Sequence, residues 1–335
     1  MSRQITCEVL LDCLSAHPAV QAWSRLDSSG AEPRAVEVLQ SRRKTAVYRL
    51  AGVGPEGSAI IAKRCRRTSG SVERMIYQEC LTGLPGMTPE CYGFVEDPAD
   101  GEFGWLFLED AGGQTYSLQN AEHRRAAARW IGAVHTVPIA EALARRLPER
   151  GLGHYRQLLR SAREAVVRHL TNPEVPPEAL ETLESAASQL DLLESHWPQV
   201  EGFVAGIPPA PVHGDLAIKN VGLRCGSAGL SLLVFDWENG GWGLPAVDLC
   251  QFNGHTLSPD LETYGEIRAQ RGQPLAPRKI RRLAEYGSIF RLLEDMSWLV
   301  PSMVRDSYAY LAEPISYLRV YEARMAEALK IDWTQ

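Results

Sequence analysis

Two stretches of this 335-residue chain restrict its fold more than anything else in it: Val212–Asn220, VHGDLAIKN, and Leu232–Glu238, LLVFDWE. Each runs from an apolar, strand-like segment into an acidic loop, the arrangement that delivers side chains to the open end of a sheet. Asp215, Asn220 and Asp236 are therefore candidates to converge on one point. The set suits phosphoryl transfer from ATP, which asks a protein for a carboxylate to orient and deprotonate the attacking hydroxyl, for oxygen ligands to Mg²⁺, and for little covalent chemistry. Asp215 fits the first role. Asn220 and Asp236 fit the second, because Mg²⁺ takes hard oxygen donors and completes its shell with water and phosphate.

The order H-x-D-x(4)-N followed by a further D is that of a kinase catalytic loop. With HGDLxxxN, the apolar run ending in DWE and the following GGWGLPAVDL, the sequence resembles the aminoglycoside phosphotransferase family, small-molecule kinases of the protein-kinase-like fold. The resemblance implies a bilobal α+β protein, with a small antiparallel-sheet lobe carrying one helix and a larger, mostly helical lobe. Residues 1–110 would form the nucleotide-binding lobe and 111–335 the catalytic and acceptor-binding lobe, with a helical insertion at about 137–206 capping the acceptor. ATP and Mg²⁺ are the implied cofactors. Asp248, in PAVDL, matches the family's structural aspartate that holds the HGD loop, and His213 is expected to brace the same loop by hydrogen bonding rather than to move protons.

Upstream, strand-like runs at 35–39, 46–50 and 58–63 suggest an antiparallel meander, preceded by a short amphipathic helix at about 5–15. The turn between the first two runs is QSRRKT, where a kinase-like fold places its phosphate-covering loop. It has no glycine, so backbone amides are poorly placed to approach phosphates. Side chains such as Ser41 and Lys44 would have to contribute to nucleotide binding instead, unless the segment is simply a solvated basic turn. The literal GxGxxG at 52–57, GVGPEG, reads as a hairpin turn, since it joins two strands and does not open a helix.

Lys63 ends the strand AIIAK, where the resemblance places the lysine that pairs with nucleotide phosphates. The following helix, at about 71–83, offers Glu73 and Glu79 as its partner. Glu73 shares a face with Tyr77, Cys80 and Leu84 at helical spacing and is the inward choice. Two further strands, 91–95 and 104–109, lead into LEDAGG, where the resemblance puts the hinge and the adenine contacts, around Leu108, Glu109 and Ala111.

The rest is helical: 121–135 with an apolar stripe, 154–170, 177–197, then 258–271, 277–300 and 305–329. His135, at a helix end, reads as structural. Met296, Trp298, Met303, Tyr308 and Tyr310 read as core that also walls the acceptor pocket, and Glu294, Asp295 and Asp306 are available to meet a cation.

Composition excludes more than it selects. A net charge of −6 argues against nucleic acid as a partner. There is no apolar run of membrane-spanning length. Seven cysteines without CxxC spacing read as free thiols of a reducing compartment, and the opening residues lack a signal-peptide core, so a cytoplasmic location is expected. The acceptor stays open: an aminoglycoside or another antibiotic, or a metabolite such as choline, ethanolamine or a sugar. A nucleotide-binding pseudokinase is the alternative of another class. A protein kinase is disfavoured, since no activation loop with an APE-like end follows DWE.

Overall fold

The structure, a computed structural model, describes residues 8–27, 30–42, 45–84, 86–97, 100–110, 112–226, 229–251 and 255–333. The chain divides into two compact units: residues 1–117, 137–143 and 218–240 in one, and 118–136, 144–217 and 241–335 in the other. The segment 218–240 groups with the first unit.

The first unit is built on a six-stranded antiparallel sheet. Its strands are β1 (Glu8–Leu10), β2 (Ala35–Ser41), β3 (Ala46–Ala51), β4 (Ile60–Arg66), β5 (Cys91–Glu96) and β6 (Phe103–Glu109), in the order β1-β2-β3-β4-β6-β5. Of the helix expected at 5–15, residues 5–7 lie outside the described residues and 8–15 form no α-helix. Glu8–Leu10 pair with Val36–Val38 as an edge strand, and Leu14–Ala16 form one 3₁₀ turn after Cys13 at φ 53°. The exposed edge of β2 offers unpaired backbone groups that a neighbouring segment can satisfy.

Alternation along the strands divides the sheet's two faces. Val36, Leu50, Ile60, Ala62, Trp105 and Phe107 pack with α1 (Pro18–Trp23) through Ala19, Val20, Ala22 and Trp23. Lys63 and Cys65 point to the opposite face. There α2 (Arg67–Met75) follows β4 without a linker and continues as a π-helical turn, Ile76–Cys80. The helix thus starts four residues before the expected 71, a difference the sequence hid because Arg66 and Thr68 carry no clear cap signal.

The second unit is mainly helical. In chain order come α3 (Ala121–Val134), α4 (Glu141–Ala144) at a crossover of the chain between units, β7 (Glu149–Arg150), α5 (Leu152–Val167), α6 (Pro177–Ser195), α7 (Trp197–Val204) and β8 (Ala210–Val212). Asn120 caps α3 by accepting from the Glu122 amide at 2.9 Å, and Pro177 occupies the first turn of α6. The chain then re-enters the first unit as the hairpin β9 (Val221–Gly226) and β10 (Gly229–Val234), and leaves it with β11 (Gly241–Gly243), which pairs parallel to β7 and antiparallel to β8. The last helices are α8 (Leu261–Gln270), α9 (Pro277–Ser297) and α10 (Tyr308–Ala328).

Helix α9 forms the centre of this unit, with Leu283, Ile289, Phe290, Leu292 and Leu293 fully buried. It approaches the 245–249 turn so closely that a Cβ on Gly287 would lie 1.9 Å from the Ala246 carbonyl oxygen. The expected aromatic core of the C-terminal helices is only half right. Met296 and Met303 are buried, whereas Trp298 and Tyr310 are 62% and 57% exposed. Among the described residues, no helix is long and apolar enough to cross a membrane.

Candidate active site

In the first unit, the register of the β9–β10 hairpin delivers two of the expected metal ligands to one end. Val221 pairs with Val234, and the Phe235 amide donates to the Asn220 carbonyl at 3.0 Å. Asn220 immediately precedes the hairpin and Asp236 follows it, so both sit at its open end. Asp236 adopts φ 72°, ψ 58°, a left-handed conformation in which aspartate is among the better tolerated non-glycine residues.

Lys63 joins this end to α2. Its ammonium donates to Glu73 Oε1 at 2.6 Å and also to Asp236 Oδ1. Glu73 is fully buried, as the helical spacing predicted, and its second oxygen accepts from the Trp237 amide at 3.3 Å. Burial raises the Glu73 carboxyl above its usual range, with Lys63 opposing that shift and the Asp236 charge adding to it. For Lys63, burial works against the charge, but Glu73 and Asp236 outweigh it and hold the ammonium protonated well above its ordinary value.

The other expected nucleotide residues are placed less centrally. Ser41 is exposed at the end of β2, beside the turn closed by the Arg42 amide on the Thr45 carbonyl. Lys44 and Ala111 lie outside the described residues. Leu108 is buried in β6 between Ile61 and Cys91. Glu109 commits both its amide and its carboxylate to neighbours: the amide donates to the Glu90 carbonyl at 2.8 Å, and the carboxylate accepts from the Glu90 amide at 3.1 Å and from Arg224. The GVGPEG segment is a turn between β3 and β4, with the Gly52 and Gly54 amides both donating to the Ser58 carbonyl.

In the second unit, β8 leads straight into His213, Gly214 and Asp215. Asp248 accepts from the His213 amide at 2.8 Å and the Gly214 amide at 3.0 Å, while His135 Nε2 meets it at 3.2 Å. Gly214 has φ 77°, which glycine takes without steric cost and which turns the chain so that both amides face one carboxylate. His213 Nδ1 accepts from the Asp215 amide at 3.2 Å, the bracing role expected of it.

Burial lowers the His135 pKa, although the hydrogen bond and charge of Asp248 oppose that, so the ring is neutral near pH 7. Its partners assign the tautomer: Nε2–H donates to Asp248, and Nδ1 accepts from the Tyr264 hydroxyl at 3.1 Å, which itself accepts from Arg268 Nη1 at 3.2 Å. Each buried polar group of this chain of contacts is satisfied by the next.

A family model described as the phosphotransferase enzyme family matches residues 24–286 of the chain. The protein belongs to that family. No curated protein matches it. Among solved structures, a candidate aminoglycoside phosphotransferase from Ralstonia eutropha is 19% identical with a TM-score of 0.55, covering 93% of this chain and 97% of its own. The GDP complex of an aminoglycoside 2'-phosphotransferase-IIIa is 15% identical with a TM-score of 0.61, covering 90% and 96%. An ethanolamine kinase of Plasmodium vivax is 12% identical with a TM-score of 0.51, covering 86% and 84%. These likenesses establish the protein-kinase-like α+β fold.

One residue of this phosphotransferase escaped the sequence reading. Arg291, on α9, donates through Nη1 to Asp215 and through Nη2 to Asp295 Oδ1 at 2.8 Å. The only signal was the i, i+4 spacing of Arg291 and Asp295, which fits any helix surface. Each of the three acids expected to meet a cation has a basic side chain of the protein against it, an arginine for Asp295 and Asp306 and a histidine for Glu294. Glu294 contacts His154 at 2.6 Å, Asp295 contacts Arg291, and Asp306 contacts Arg168 at 3.1 Å.

Proposed function

We propose that the protein transfers the γ-phosphoryl group of ATP to a hydroxyl of a small molecule. The observation that carries the reading is Lys63, buried between Glu73 and an Asp236 that ends the hairpin Asn220 opens. An isolated ion pair buried at such desolvation cost contributes little to stability, so its placement asks for another reason. A lysine held by a helix glutamate is the arrangement that grips nucleotide phosphates in kinases.

Asp215 orients the acceptor hydroxyl and takes its proton. Its amide is held by His213 and the two residues before it by Asp248, so the carboxylate is preorganised and alignment supplies much of the rate. Asn220 and Asp236 fit Mg²⁺ by donor chemistry: both offer hard oxygens, and the Asp236 side chain is 28% exposed, leaving coordination for water and phosphate. When bound, the metal would neutralise phosphate charge. Antibiotic hydroxyls and metabolite hydroxyls both fall within this chemistry, and a cytoplasmic location accords with it.

Acceptor-dependent ADP formation from Mg·ATP, measured with and without Asp215→Ala, tests the assignment. Turnover should vanish in the variant while ATP still binds. Near-normal turnover by the variant would show that Asp215 is not the acceptor's base.

A further inference from the structure

The surroundings of Asp215 within the second unit carry their own cation. Arg291 bridges Asp215 and Asp295, lies within 3.5 Å of the Gly214 carbonyl, and is itself buried. Burial disfavours its charge, but Asp295 and Asp215 outweigh that penalty and keep it protonated. Asp295 additionally has His255 Nε2 3.9 Å from its other oxygen. Arg324 on α10 acts electrostatically on both His255 and Tyr321. Two carboxylates and a guanidinium group thus meet at Asp215, with a half-exposed histidine beside Asp295.

An ammonium on the acceptor would gain most from a carboxylate with no cation of its own. Asp215 and Asp295 already share one, and the adjacent Glu294 is paired with His154. An acceptor anion would meet two carboxylates. Hydroxyl groups, which donate and accept at once, match a mixture of carboxylate, guanidinium, imidazole and phenol without asking for net charge.

We propose that Arg291 is a positioning and specificity-determining residue, occupying the place a substrate ammonium would take at Asp215 and Asp295, so that the acceptor is an uncharged polyhydroxyl compound of the sugar class and not an amine. The inference rests on the phosphotransferase reading above. Arg291 acts through Asp215: its planar fork holds the carboxylate in one orientation toward the acceptor hydroxyl. An acceptor ammonium would have to displace a buried, charge-assisted contact before it could bind.

The test uses the full chain with Mg·ATP and two acceptor panels, uncharged sugars and polyols on one side, aminoglycosides and amino alcohols on the other. Acceptor-dependent ADP formation is expected with the first panel and not the second. Arg291→Gln should lower kcat on the accepted sugar by roughly 10²-fold, the loss typical of a misaligned catalytic group. It should also shift the acid limb of kcat/KM to higher pH, because Asp215 loses its neighbouring cation. Amines should then compete at least about tenfold more strongly than against the wild type.

Arg291→Lys keeps the charge and should return the acid limb toward its wild-type position, an outcome that a merely structural role would not produce. If Arg291→Gln fails to fold, the wild-type selectivity and the Arg291→Lys profile decide the matter. Wild-type turnover of amines with kcat/KM equal to or above that of every sugar would overturn the inference and leave the phosphotransferase reading standing. ATP binding without ADP formation from either panel would overturn that reading and this inference with it.

Discussion

Two carboxylate pairs in this molecule each share a single cation, and they do so in opposite ways. In the first unit Lys63 joins Glu73 and Asp236, residues 10 and 173 positions away. In the second, Arg291 joins Asp215, 76 positions away, to Asp295 on its own helix. The ammonium is a point charge that gathers groups from any direction, whereas the guanidinium is a rigid fork that dictates where they sit. Exposure differs correspondingly. The Asp236 side chain is 28% exposed, but those of Asp215 and Asp295 are 11% and 10% exposed. The lysine cluster keeps one carboxylate open to solvent. The arginine cluster closes both of its carboxylates down, which suits a site that holds one group in a single orientation.

The largest effect expected on this contrast comes from Asp215→Ala. It should reduce kcat by roughly 10³-fold, within the span general-base residues usually cover, with ATP affinity by calorimetry essentially unchanged. If ATP affinity fell as well, the two clusters would not be separable in function.

Lys63→Met should follow, weakening ATP binding and costing about 3–5 kcal/mol of stability, because Glu73 is left buried without its counter-ion. Adding Glu73→Gln to that variant should restore most of the stability, read by thermal or denaturant melts, but none of the activity. Recovery of both would mean that the pair serves only the fold.

Asp236→Asn should fold nearly as well as the wild type, since asparagine also tolerates the left-handed conformation, while Mg²⁺-dependent turnover drops by roughly 10²-fold. Asp236→Val adds backbone strain of about 1–3 kcal/mol at that position, visible as a further loss in melting temperature.

The smallest effect concerns His135, which supports the Asp215 loop through Asp248. Its folded pKa lies below the usual 6.5, so the unfolded chain takes up a proton that the folded chain refuses. Its contribution is therefore present above pH 6.5 and is lost as pH falls below that value. His135→Asn should cost about 1–2 kcal/mol at pH 7.5 and flatten the decline in stability between pH 6.5 and 5, measured by denaturant unfolding at each pH. An unchanged decline would remove His135 from the acid response.

The two clusters also differ in how legible they were. Glu73 was separable from Glu79 because helical periodicity alone sets which residue shares a face with Tyr77 and Cys80, and burial of that face follows from its apolar character. Asp215, Asn220 and Asp236 were legible as polar side chains just past strand-like runs, and Asp248 through the family resemblance of PAVDL. Arg291 was not, because nothing in RLLED distinguishes an arginine turned toward a loop 76 residues earlier from one in solvent. For the same reason Trp298 and Tyr310 looked like core and are exposed, and Glu294, Asp295 and Asp306 looked available and are paired.

Local rules misled at the N-terminus too. Spacing at 5–15 suited a helix, yet Glu8–Leu10 pair with the edge of β2, since a strand's unmet backbone groups outweigh a weak helical preference in a short segment.

By itself, then, the amino-acid order carried the family resemblance, which implied the α+β class, and its periods and spacings of a few residues marked the strand ends that carry the acids and the inward face of α2. Only the tertiary structure decided that Asp215 and Asp295 share Arg291, and that Lys63 meets Asp236 as well as Glu73. That choice depends on which distant elements pack together, and desolvation makes each buried charge depend on a partner that sequence distance does not reveal.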